Sequence, residues 1–165
     1  MPGILPSIIV LGLLALVAVA LARRHRSPAA LIAERRAASN ALLIATAVQS
    51  AHFCEEWATG FHVRFPALFD LPAMPLSFFV GFNLAWIAIW IACIPGLRVS
   101  NRFAFFAAWF LALAGMLNAV AHPVMAGAAQ GYFPGLISSP FVGLAGLWLW
   151  LKLGDAVPQG DVASG

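Results

Sequence analysis

Apolar positions run through this chain in long blocks, without the one-faced or alternating pattern of a soluble fold. The first block covers residues 4–22 and is followed at once by Arg23, Arg24, His25 and Arg26. A signal peptide carries its positive charge ahead of its apolar region, so this block predicts an uncleaved first span. Residues 27–40 (SPAALIAERRAASN) are polar enough for a segment lying at the membrane interface. Further apolar blocks at about residues 41–60, 77–94, 103–122 and 133–151 each match the ~20 residues that a transmembrane helix needs. Pro95-Gly96 and Pro123 mark the predicted ends of the third and fourth spans. Residues 61–76 hold Pro66, Pro72 and Pro75 with Arg64 and Asp70, and predict an outside loop or a shallow re-entrant segment.

The pattern therefore predicts an all-α membrane protein of about five transmembrane helices. A four-helix core (spans 2–5, residues 41–152) follows an N-terminal span (1–26) and a cytoplasmic interfacial segment (27–40). A disordered cytoplasmic tail (153–165) ends the chain. Composition agrees: 62% of the 165 residues are hydrophobic and 9% charged, against ~45–50% and ~25% in soluble domains. The net charge of +3 is not a nucleic-acid signal, because the basic residues sit at helix ends and form no solvated basic face. Orientation follows from the positive-inside rule. With the N-terminus outside, eight of the nine Lys and Arg residues fall inside and only Arg64 falls outside. The expected location is the bacterial inner membrane, N-terminus out and C-terminus in. Cys54 and Cys93 lie at different depths in this topology, which disfavours a disulfide.

Against this background the intramembrane polar residues stand out, since ionisable groups inside spans cost roughly 2.5–3.5 kcal/mol each on insertion scales. The second span carries Gln49, His52, Glu55 and Glu56, the third Asn83, and the fourth Asn118 and His122. At about 100° per residue, Gln49, His52, Glu55, Glu56 and Thr59 fall within roughly 120° on one side of a helix. Asn118 and His122, at i and i+4, share a helix face. The predicted topology puts all of them in the outer half of the bilayer.

Two chemistries fit these residue types. His52, His122 and one of Glu55 or Glu56 supply the ligand set of a mononuclear catalytic zinc site, with the other glutamate as general acid/base. Alternatively, a His–Glu pair acts without metal as a general base, with Asn118 or Asn83 donating to an oxyanion. The structural alternative is an interhelical hydrogen-bond network that locks the bundle. Two carboxylates are too few for a di-metal site, which wants about four. His25, His62 and Arg64 are read as surface or loop residues.

His52-Phe53-Cys54-Glu55-Glu56 resembles the H-x-x-E-E signature of the HXXEE family of small bacterial membrane proteins. Asn118-x-x-x-His122 resembles that family's second motif, and Tyr132-Phe133-Pro134-Gly135-x-x-Ser138 its Tyr-x-Pro-Gly-x-x-Thr/Ser segment. The similarity covers about residues 40–151. It implies a helical membrane domain with a shared polar site, and the family lends no established activity. The resemblance also adds Tyr132 and Ser138 to the candidate site, with a turn and helix cap as their structural alternative.

The resulting expectation is a membrane-embedded, metal-dependent enzyme, a hydrolase of a lipid or other apolar substrate. His52, Glu55, Glu56 and His122 are its candidate ligands to Zn2+ or another divalent metal. Glu55, Glu56, Asn118 and Tyr132 are its candidate catalytic residues, and Gln49, Asn83 and Ser138 orient substrate. The expected partners are the lipid bilayer, an apolar small molecule, and a second copy or a membrane complex, with no nucleic acid. The alternative is a non-catalytic binding or assembly subunit for a lipid, pigment or partner helix.

Overall fold

The computed structural model describes residues 2–23 and 31–157, and all regular structure among them is helical. A 3-10 turn (Pro2–Ile4) leads into α1 (Leu5–Arg23). Then come α2 (Ile32–Ala58), the short α3 (Phe61–Ala67), α4 (Leu76–Arg98), α5 (Arg102–Ala128) and α6 (Ser139–Asp155). The expected features at Arg24, His25 and Arg26, and the tail beyond Val157, lie outside the described residues.

Three helices, α1, α4 and α5, are long and apolar enough to cross a membrane, which makes this an integral membrane protein. Of two others, α2 is long enough for a crossing and α6 for most of one. In α2 the 27 residues include a run of charged and amide side chains, and α6 is 17 residues long.

Helix ends depart from the sequence-based expectation in five places, each for a local reason. The interfacial segment was expected to end at residue 40, but α2 already begins at Ile32. Ala, Glu and Arg are strong helix formers, and the buried stripe of Arg35, Ala38, Ser39, Leu42 and Ala45 runs unbroken across that boundary. Pro95 and Pro123 stop neither helix: α4 continues to Arg98 and α5 to Ala128. Both prolines are exposed, so each ring points away from the packed side and each loses a single helix hydrogen bond. The last helix starts at Ser139 instead of Phe133, because residues 132–138 are held by other parts of the chain. Finally, residues 61–76 contain a true helix, α3, entered through Gly60 at φ 81° and tied back by Met74 N donating to the His62 carbonyl at 2.9 Å.

Neighbouring helices pack antiparallel. At one end, the start of α2 meets the end of α4: Arg98 Nε donates to Ser39 Oγ (3.0 Å), which donates to the Ile94 carbonyl (2.9 Å). At the other end Phe53 of α2 packs on Phe79 of α4, with ring centroids 5.5 Å apart. Helices α5 and α6 approach so closely that a Cβ on Gly146 would lie 2.7 Å from the Ala112 carbonyl oxygen, and one on Gly115 2.8 Å from that of Val142. Small residues permit this backbone contact, the usual device where lipid removes the hydrophobic drive between helices. The buried core (Leu42, Leu97, Phe105, Leu111, Leu149 and neighbours) fills the half of the bundle nearer the basic helix ends. His52, Glu56 and His122 occupy the opposite half.

Candidate metal centre

His52 and Glu56, one helical turn apart on α2, share a face, and α5, which runs parallel to α2, brings His122 alongside them. His52 Nε2 and His122 Nε2 each lie 3.5 Å from Glu56 Oε1. The two imidazoles meet edge-on, centroids 4.8 Å apart and 89° between planes. All three side chains are buried, with His52 at 0% exposure. One ligand atom from each lies within 4.8 Å of the others.

The remaining nitrogens fix how each ring is protonated. His122 Nδ1 sits 2.7 Å from the Pro134 carbonyl, which can only accept, so Nδ1 carries a hydrogen and the neutral ring has its lone pair on Nε2. The Ser138 hydroxyl donates to Glu55 Oε2 in a very short hydrogen bond. Its lone pair must then accept from His52 Nδ1, 2.7 Å away. The neutral form of His52 thus also presents a lone pair on Nε2. Two imidazole lone pairs and a carboxylate oxygen converge on one buried point, an arrangement that repels itself until a cation or a proton occupies the centre.

These residues fit a divalent metal. Bonds of ~2.0–2.1 Å at tetrahedral angles set ligand atoms about 3.3 Å apart, close to the two 3.5 Å separations. The partners on the far nitrogens are those that orient histidines in metal sites: a backbone carbonyl for His122, and a serine bridging to a carboxylate for His52.

Glu55 does something different from its neighbour. Its carboxylate accepts from Tyr132 OH (2.7 Å), Ile137 N (3.0 Å), Ser138 N (2.8 Å) and the Ser138 hydroxyl. Both oxygens are therefore committed to the 132–138 segment, and Glu55 is not in the converging group. Gly135 lets this segment lie over the site. It has φ 84°, and a Cβ there would sit 2.7 Å from His122 Nδ1 and 2.8 Å from His52 Cε1. Arg64 on α3 ties the segment's other side, donating to the Tyr132 carbonyl at 2.8 Å with its guanidinium 5.8 Å from the centre of the Phe133 ring. Tyr132 lies outside the helices; partial burial and its bond to Glu55 raise its phenol above the usual value of 10.

The other candidates scatter in position. Asn118 Nδ2 lies 3.4 Å from His52 Nε2, beyond the usual hydrogen-bond range. Gln49, buried one turn inside His52, has a side-chain oxygen that no donor among the described residues reaches. Asn83 donates its amide to the Phe79 carbonyl in its own helix at 2.9 Å, and among the described residues no hydrogen bond ties it to the cluster. A helix-buried amide that finds no partner across the bundle satisfies itself this way. Sequence reading missed Phe61, whose ring is 5.8 Å from that of His122 and covers it, as it did the Pro134 carbonyl as a histidine anchor. The Pro-Gly pair was the available signal for the second; nothing marked Phe61.

No family model, curated protein or solved structure matches this chain.

Proposed function

We propose that this protein is a five-span membrane enzyme built around a mononuclear metal site, with His52, Glu56 and His122 as the protein ligands. The observation that carries the reading is the convergence of two histidine Nε2 atoms on Glu56 Oε1, each at 3.5 Å. Three protein ligands leave a position open, the arrangement of catalytic zinc sites. A bound zinc-class ion would supply Lewis-acid activation of water and of an ester or phosphoryl oxygen.

The protein's own groups have separate tasks. Ser138 and Pro134 hold the two imidazoles in the ligating tautomer. Glu55 anchors the covering segment and, through Ser138, adds negative charge behind His52. Of the two glutamates offered as ligand or base, Glu56 is the ligand, and Glu55 is a positioning residue. The unmatched Gln49 oxygen suits a donor from outside the chain, water or substrate. With the N-terminus outside, the site lies in the outer half of the inner membrane, within reach of both water and lipid, so the substrate class proposed is a lipid or other apolar ester. The three motifs that resemble those of the HXXEE family include these residues.

Metal analysis of the full chain in detergent tests this. About one zinc-class ion per chain is expected, absent from His52→Ala and from Glu56→Gln, with chelator-sensitive hydrolysis of lipid esters in mixed micelles.

A second reading has its own observation: Asn118 Nδ2 at 3.4 Å from His52 Nε2 could cap that lone pair in a metal-free network that serves assembly. It predicts trace metal, and Glu56→Gln that costs stability with no activity to lose.

A further inference from the structure

The two helices that supply the ligands also carry a carboxamide each, one turn nearer their basic ends. Gln49 stands three residues before His52 on α2, and Asn118 four before His122 on α5. Because α2 and α5 run parallel, both amides come at the same level. At about 100° per residue, Gln49 and Glu56, seven residues apart, point within about 20° of each other. Gln49 therefore faces the space between α2 and α5 that Glu56 and His122 share. Asn118 Nδ2, 3.4 Å from His52 Nε2, makes this space continuous with the ligand cluster.

The two amides offer complementary groups. Gln49 is 8% exposed, and its Oε1 is buried with no donor among the described residues. The hydroxyls one turn away or adjacent on α2 are spent within the helix: Thr46 Oγ1 donates to the Leu42 carbonyl (2.8 Å) and Ser50 Oγ to the Thr46 carbonyl (2.8 Å). A buried amide oxygen in this state calls for a donor from outside the chain. Asn118 brings hydrogen. Its amide is turned to the His52 nitrogen, and a metal that takes that nitrogen's lone pair leaves the N–H for an oxygen ligated alongside. An oxygen completing a tetrahedral site stands about 3.3 Å from His52 Nε2, close to the separation that Asn118 Nδ2 already has. One donor and one acceptor beside a coordination position suit water, which takes roughly two to four polar partners. An ester oxygen would use the donor alone.

We infer, on the metal reading above, that Gln49 and Asn118 seat the reacting water: Asn118 donates to its oxygen, and Gln49 Oε1 accepts one of its hydrogens. With that oxygen and one hydrogen held, the water is oriented before substrate arrives.

Azide binding to the Co2+-loaded full chain in detergent, followed by the visible absorption of the ion, tests this without substrate. Azide takes the water's place and brings an acceptor but no hydrogen. Gln49→Leu removes a lone pair facing the anion and should tighten azide binding about fivefold. Asn118→Leu should weaken it about fivefold, the worth of one ordinary hydrogen bond. A loss of packing alone moves both variants the same way. Both should still hold one Co2+ per chain, and Gln49→Met and Asn118→Ala stand in for a leucine variant that fails to fold. A wild-type chain that binds no Co2+ would overturn the metal reading and this inference with it. Normal Co2+ loading of the wild type with azide affinities unchanged in the variants, or shifted in one direction, would overturn this inference alone, as would loss of Co2+ from both variants at either position.

Discussion

Glu55 and Glu56 are adjacent in the chain and open onto two regions with opposite chemistry. On the rim, Glu55 meets a segment full of donors and has both oxygens satisfied by hydroxyl and backbone N–H groups. In the interior, Glu56 meets two imidazole nitrogens that, in the neutral rings, carry lone pairs and offer it no hydrogen. One carboxylate is complete as it stands; the other needs a positive charge from outside the chain. Ser138 joins the regions, donating to Glu55 and accepting from His52. A helix advances about 100° per residue, so two neighbouring acids can be split between a structural clasp and a ligand set.

Breaking the interior should have the largest effect. His52→Ala or Glu56→Gln is expected to lower metal affinity by more than ~100-fold, beyond the ~10–100-fold typical of outer partners, as read by isothermal titration with Zn2+. Ser138→Ala should fall inside that ~10–100-fold range, because it frees the His52 tautomer without removing a ligand, and Ser138→Thr should restore it. A loss in Ser138→Ala as large as in His52→Ala would erase the distinction between the two regions.

Gly135→Ala probes the contact between the regions directly. A side chain there meets both rings in a backbone conformation that disfavours it, so a stability loss of roughly 1–3 kcal/mol is expected by denaturant titration, accompanied by weaker metal binding. Tyr132→Phe removes one of four hydrogen bonds to Glu55 and should cost about 1 kcal/mol. As the sole tyrosine, Tyr132 also reports on the rim by absorbance. Its raised value means that its share of stability is present below pH 10 and is lost as pH rises through the folded-state value. Titration at or below 10 would show that the clasp is open. Asn83→Ala should change metal binding and stability least, within about 0.5 kcal/mol.

Acidification acts on the interior in the other direction. Metal ligands must be deprotonated, so the thermal stabilisation conferred by added Zn2+ should shrink as pH is lowered below neutral.

How much of this was legible in the sequence follows the range of the interactions. The helical class and the nearness of His52, Glu56 and His122 could be read from periodicity and from the cost of burying such groups, because both are local or topological. Helix ends were less legible: residues 32–40 look polar, yet their buried stripe continues into α2, and Pro123 ends nothing because its ring faces outward. The split between Glu55 and Glu56 was not legible at all. It depends on residues 132–138 returning over α2 from more than 70 positions away, which no spacing rule encodes. The intrahelical bond of Asn83 was not legible for the same reason, since polarity at a given depth does not say which way an amide turns.

X-ray absorption at the zinc edge, on the full chain saturated with one equivalent of metal, tests the central claim most directly. A first shell of nitrogen and oxygen at ~2.0–2.2 Å with imidazole outer-shell scattering from two histidines is predicted, and that scattering should fall by half in His122→Ala. A hydrated-ion spectrum that His122→Ala leaves unchanged would contradict the account.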